Sequence, residues 1–161
     1  MDRINTDEDK LQGRSGVVAD ESGLKFADCT REIIGAAMEV HNHLGNGFQE
    51  VIYQRSLAIE LKDRGVEFLR EQEMPLFYKN HEVGTRRADF VICNRIIVEL
   101  KAISVVSDIE RAQVLNYLTA YRMEVGLLLN FGTPSLQFER FVYSKFSGKS
   151  VKSPNPINPR S

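Results

Sequence analysis

The residues best suited to chemistry are Asp89, in Ala88-Asp89-Phe90-Val91-Ile92, and Glu99 and Lys101, in Ile97-Val98-Glu99-Leu100-Lys101. Alternate residues of a strand share a face, so Glu99 and Lys101 point one way and Val98 and Leu100 the other. The same alternation puts Asp89 on the face of Val91, opposite Phe90 and Ile92. These charges interrupt apolar runs, where an unpaired buried charge is costly. Two carboxylates on neighbouring strands offer hard oxygen ligands of the kind Mg²⁺ or Mn²⁺ takes. A lysine on the same face can stabilise charge developing on a phosphate or hold a water in line for attack. Phosphodiester hydrolysis needs those parts. The plainer reading is a solvated Glu-x-Lys face with a cross-strand charge pair, and the spacing alone leaves both open.

Glu50 stands in the first turn of a helix, where a carboxylate favours the positive helix end and can close a capping interaction. Tyr53, three residues on, shares its face and is equally consistent with a core position. Gln113 and Tyr117 are four apart on a later helix and also share a face. Arg86 and Arg87 directly precede Ala88-Asp89, as phosphate contacts or as a solvated hairpin arm. His41 and His43, two apart on a helix, do not face the same way, which argues against zinc.

These side chains need a frame. Apolar residues recur at helical spacing from Asp28 to Leu44, and Gly45 offers a stop. A second helix follows Asn46-Gly47 and ends at Gly65. The period then changes to strands at Val66–Gln72 and Met74–Tyr78, a turn at Lys79-Asn80-His81, and a third extended run at Arg86–Cys93. Asn94-Arg95 suggests a tight turn into Ile96–Ala102, which makes those two runs antiparallel neighbours. Ser107-Asp108 caps a helix through Tyr121. Strands at Glu124–Asn130 and Leu136–Tyr143 complete an α-α-β-β-β-β-α-β-β order. The crossover helix allows Ile96–Ala102 and Glu124–Asn130 to be parallel, giving a mixed sheet flanked by helices.

With 161 residues, 42% hydrophobic and 27% charged, the sequence fits one globular domain that needs no disulfide or structural metal. No apolar run approaches the ~20 residues needed to cross a bilayer, and the N-terminus lacks the apolar run of a secretory signal. Cys29 and Cys93, without CxxC spacing, read as free thiols, and a cytoplasmic location is the expectation. The net charge of −1 gives no whole-domain basic footprint, so nucleic-acid binding would rest on local patches. Residues 1–25 are polar and aperiodic, and the final stretch 147–161 holds three of the five prolines. Both are expected to be disordered tails around a domain spanning 26–146.

Taken in order, these blocks resemble a known family. Gly47-Phe48-Gln49-Glu50-Val51-Ile52-Tyr53 is similar to the signature of the GxxExxY proteins, a branch of the PD-(D/E)XK nuclease-like superfamily. His41-Asn42-His43-Leu44-Gly45, Ala88-Asp89-Phe90, Val98-Glu99-Leu100-Lys101 and Gln113-Val114-Leu115-Asn116-Tyr117-Leu118 resemble further blocks, so the likeness runs from about Thr30 to Tyr143. It implies a restriction-endonuclease-like αβββαβ core with Mg (or Mn) held by Asp89, Glu99 and the backbone carbonyl of Leu100. It also implies Lys101 as catalytic lysine, Glu50 as a carboxylate from the first core helix, and Gln113 as a polar site residue contributed by the helix that follows. Ala88 stands where the superfamily's name has proline, a change that removes no chemical group.

The leading expectation is therefore a metal-dependent nuclease acting on DNA or RNA, with no membrane partner. A homodimer is left open, because a small nuclease often needs two active sites to cut both strands. The alternative is a non-catalytic nucleic-acid-binding or protein-interaction module that keeps the fold. Clustered like charges raise each other's pKa and oppose folding unless a cation is present, which favours the enzyme.

Overall fold

The structure, a computed structural model, describes residues 26–143. The expected tails at 1–25 and 147–161 lie outside the described residues. The elements are α1 (Ala27–Leu44), α2 (Glu50–Asp63), β1 (Phe68–Tyr78), β2 (His81–Ile92), β3 (Ile96–Lys101), α3 (Asp108–Tyr121), β4 (Val125–Asn130) and β5 (Gln137–Val142). They form one mixed sheet in the order β1-β2-β3-β4-β5, in which only β3 and β4 pair in parallel. This is an α/β fold of the restriction-endonuclease-like type, with the αβββαβ succession running from α2 to β4.

One expectation about the strands is corrected. Val66–Gln72 and Met74–Tyr78 are not two strands but the single β1, paired along its length with β2. Glu73, left between the two runs, pairs regularly with Arg87, and the strand's irregularity lies two residues earlier, where Glu71 takes a positive φ of 53°. The arm turns back through Lys79 and Asn80, both left-handed, so β2 begins at His81 rather than Arg86.

The two faces of the sheet are covered differently. Ile33, Ala36, Ala37 and Val40 of α1 and Tyr53, Leu57 and Leu61 of α2 pack with Phe90, Ile92, Ile96, Val98, Leu100, Val125, Leu127 and Leu129. At about 25 cal/mol per Å² of apolar surface removed from water, this cluster is the main source of stability. On the other face, α3 lies close to β4 because Gly126 has no side chain. A Cβ there would stand 2.5 Å from Val114. The capping box at Ser107 starts α3, the Ser107 N–H donating to Glu110 at 2.7 Å and Ile109 N–H to the Ser107 hydroxyl at 3.3 Å.

One polar residue, Asn130, holds the ends of the central strands together. Asn130, 1% exposed, donates to Ile103 O at 2.9 Å and accepts from Ile103 N and Gly132 N, each at 3.1 Å. Its amide thus ties the chain leaving β3 to the chain leaving β4. Among the described residues no helix is long and apolar enough to cross a membrane.

Candidate active site

The ladder between β2 and β3 is short: Phe90↔Val98, Val91↔Ile97 and Ile92↔Ile96. The next position would pair Asp89 with Glu99, and there the backbones stop pairing. Leu100 N–H instead donates to Asp89 Oδ2 at 2.8 Å, and Asp89 N–H reaches Glu99 Oε1 at 3.4 Å. Each strand thus lends a carboxylate to the other's unpaired backbone amide, which would otherwise be a buried orphan. The parting of β2 and β3 and the meeting of the two carboxylates are one structural event.

Asp89 does not follow the simple alternation expected of it. Its second oxygen, Oδ1, accepts from Gln54 Nε2 at 2.8 Å, and Gln54 belongs to α2. Val91 and Ala88 meanwhile pack together beside Ile97 on the α3 face. Residues three apart cannot share a face in a regular strand. The irregularity at Asp89, opposite the positive-φ Glu71 of β1, breaks the period and turns the carboxyl toward α2.

Glu99 and Lys101 lie on β3 as the alternation requires, Glu99 buried and Lys101 half-buried. Burial, then the neighbouring Asp89, pushes the Glu99 carboxyl up to about 8, although the Asp89 N–H and Lys101 oppose the shift. Glu50, first residue of α2, is raised by partial desolvation and by Asp89, and lowered by Lys101. Glu50 is exposed as a whole residue, yet its carboxyl senses both Asp89 and Lys101. Asp89, Glu99, Lys101 and Glu50 are therefore brought together from β2, β3 and α2.

Gln113 is exposed on α3, and no hydrogen bond among the described residues joins it to this cluster. Its neighbour one turn on, Tyr117, is half-buried and feels the charges of Glu99, Arg86 and Asp89, with burial the main cause of its raised pKa. Arg86 lies beside Tyr117 and Tyr121, whereas Arg87 is committed to Glu73 at 2.8 Å.

The largest omission from the sequence reading is Gln54, 5% exposed. Its amide oxygen accepts from Arg70 Nε at 3.2 Å and Nη2 at 3.0 Å, which directs the amide nitrogen onto Asp89. Gln54 lies four residues beyond Glu50, one helical turn away on the same face. That spacing was the available signal.

The loop before Glu50 is held by Tyr53. Its buried hydroxyl donates to Gly45 O at 2.6 Å and accepts from Phe48 N–H at 3.2 Å. The ring stacks on Phe131 at 4.6 Å between centroids. Gly45, at φ 68° and ψ −173°, occupies a region essentially reserved for glycine, and Gly47 is also at positive φ, 109°. The Gly47-x-x-Glu50-x-x-Tyr53 spacing is thus a folded device: a glycine turn, a carboxylate at the helix start, and a tyrosine that locks both.

Residues 27–141 match the family model described as the PD-(D/E)XK nuclease superfamily. The chain belongs to this superfamily. None of the curated proteins matches it. Among solved structures it is similar to the crystal structure of SSO0001, at 22% sequence identity and a TM-score of 0.47, over 58% of this chain and 50% of that one. The chain thus spans about half the length of that protein.

The donors fit a hard divalent cation only in part. Among the described residues, no three His, Cys, Asp or Glu side chains are gathered closely enough to hold a metal by themselves. Two adjoining carboxylates are present, and Mg²⁺ is commonly bound by one or two carboxylates, with water and substrate oxygens filling its shell. The proton retained by Glu99 up to about 8 is what a cation beside Asp89 would displace.

Proposed function

We propose that this PD-(D/E)XK domain is a metal-dependent nuclease that hydrolyses phosphodiester bonds in DNA or RNA, in the GxxExxY branch of the superfamily. The observation that carries this reading is the convergence of Asp89, Glu99, Lys101 and Glu50 at the point where β2 and β3 part. Asp89 and Glu99 would hold Mg²⁺ or Mn²⁺. The carbonyl of Leu100 is a further donor, because in an extended strand it turns to the same side as the N–H that reaches Asp89.

A cation bound there would supply a polarised phosphoryl oxygen and an acidified water. Lys101 stabilises the charge that develops on the phosphorus oxygens and holds the attacking water in line. Glu50, with its raised affinity for a proton, is placed to accept one from that water. Gln54 keeps the Asp89 carboxyl oriented, and Arg86 offers a guanidinium for a flanking phosphate. Gln113, on the exposed side of α3, is assigned to contact with the substrate rather than to the carboxylates.

One observation favours the alternative of a non-catalytic nucleic-acid-binding or protein-interaction module: both Asp89 oxygens already have protein donors. Calorimetric titration with Mg²⁺ and Mn²⁺, paired with cleavage of single- and double-stranded DNA and RNA, separates the two. The nuclease reading expects metal binding and cleavage that both vanish in Asp89→Asn. Nucleic-acid binding that persists without any metal uptake or cleavage would leave the module.

A further inference from the structure

The two cysteines, 64 positions apart in sequence, come together at the end of the molecule opposite the start of α2. Cys29 lies in the first turn of α1 and Cys93 in the turn between β2 and β3, with their Sγ atoms 4.0 Å apart. Cys29 is buried and Cys93 exposed. Cys93 and the next residue, Asn94, both have left-handed φ values, 56° and 51°, so the thiol sits on a surface turn rather than in a regular strand. Cys93 also lines an open groove of about 750 Å³ shared with Lys62, Glu67, Phe68, Val91 and Asn94. That volume lies within the usual range of small-molecule sites.

From this placement we propose that Cys93 and Cys29 form a thiol–disulfide exchange site for small-molecule disulfides of the glutathione type, Cys93 attacking and Cys29 resolving. In the first step the Cys93 thiolate attacks one sulfur of glutathione disulfide. The S–S bond of that molecule breaks, a Cys93–glutathione disulfide forms, and one glutathione leaves as a thiolate that takes a proton from water. In the second step the Cys29 thiol loses its proton to solvent and attacks Cys93 Sγ. The second glutathione leaves, and Cys29 and Cys93 are joined. Two protein thiols are oxidised and one glutathione disulfide is reduced to two glutathione molecules.

The division of labour follows from the surroundings. A thiolate must be reached by its target, and only Cys93 is exposed. Burial holds the Cys29 thiol up at about 12, with Cys93 and then Glu32 adding to it, so Cys29 is a poor first nucleophile. The part of that rise caused by Cys93, through its charge and the shared hydrogen bond, disappears once Cys93 is capped. The gap of 4.0 Å must shrink to the ~2 Å of a disulfide. Both cysteines stand at the ends of their elements, where such a shift disturbs no ladder pair.

The test is incubation of the reduced full chain with glutathione disulfide, read by intact-mass and peptide-mapping mass spectrometry. The wild type is expected to lose two hydrogens and give a Cys29–Cys93 peptide, with ring closure accelerating as pH rises. Its Tm should move up by several degrees, reversed by dithiothreitol, as expected for closing a long loop. Cys29→Ser, and Cys29→Ala if the serine is too destabilising, should stop at a single glutathione adduct on Cys93. Cys93→Ser should give no product while folded. A wild type that stalls at the adduct, or thiols that react only after unfolding, would overturn the proposal. None of these readouts depends on nuclease activity.

Discussion

Strand β3 has two neighbours and is joined to them in different ways. Toward β4 it is paired over its whole length, from Ile96↔Val125 to Lys101↔Asn130. Toward β2 the pairing ends at Phe90↔Val98, and two carboxylates take over from the backbone. The first side is a scaffold made of apolar burial and main-chain bonds. On the second side the same strand gives up ladder bonds and places acidic groups where those bonds would have been. The site is therefore a programmed end of a β-ladder, and stability and chemistry should respond separately to mutation on the two sides.

The sharpest way to break that contrast is to exchange one residue from each side. Asp89→Asn keeps an acceptor for Leu100 N–H but turns an amide NH₂ onto the Gln54 amide and removes a charge. Cleavage should therefore fall by at least about 10²–10³-fold, with a cost of only about 1–3 kcal/mol in stability for the lost Gln54 bond. Leu127→Ala, in fully buried β4, should instead cost about 2–5 kcal/mol of stability in denaturant titration, while the folded fraction binds Mg²⁺ normally. If both variants lose stability and activity in parallel, the division is wrong.

Acidity offers a second lever. Glu99 is raised from 4.5 to about 8, so between those values the folded state holds a proton that the unfolded state has released. Metal-free stability should therefore fall as pH rises from about 5 to about 8 and level off above, a slope that Glu99→Gln removes. Added Mg²⁺ should flatten the same slope and bind more tightly as pH rises. A rising or flat Tm over this range in the metal-free wild type would contradict the burial of an uncompensated carboxyl.

Smaller effects are expected from the groups behind the site. Gln54→Leu removes the amide that aims Asp89, and metal affinity should weaken about 10–100-fold by calorimetry. Tyr53→Phe deletes the hydroxyl shared by Gly45 O and Phe48 N–H, costing about 1–3 kcal/mol in thermal or urea unfolding. Its kcat should drop only as far as Glu50 is displaced.

Much of this arrangement was legible in the residues. The β-branched run at Ile96-Ile97-Val98 marked β3, the crossover length allowed β3 and β4 to run parallel as they do, and alternation placed Glu99 and Lys101 on one face. Ser107 announced the start of α3. The misreadings share one cause, local departure from a period. Glu73 fell between two runs because alternation alone did not join Val66–Gln72 to Met74–Tyr78, yet an exposed edge strand carries polar residues straight through. Asp89 was assigned to the face of Val91 because alternation cannot register the irregularity that turns it to α2. Gln54 escaped notice because glutamine is an ordinary helix residue, and its role comes from Arg70, which is 16 positions away.

The tyrosine hydroxyl that bridges Gly45 and Phe48 has a consequence for chain length. Because one phenolic oxygen must touch two backbone points on opposite sides of the glycine turn, the number of residues between the two helices is metered. An extra residue anywhere from Asn46 to Gln49 would either unhook the tyrosine or carry Glu50 away from Asp89. The connection behaves as a gauge: it accepts changes of side chain at Asn46 or Gln49 and rejects changes of count.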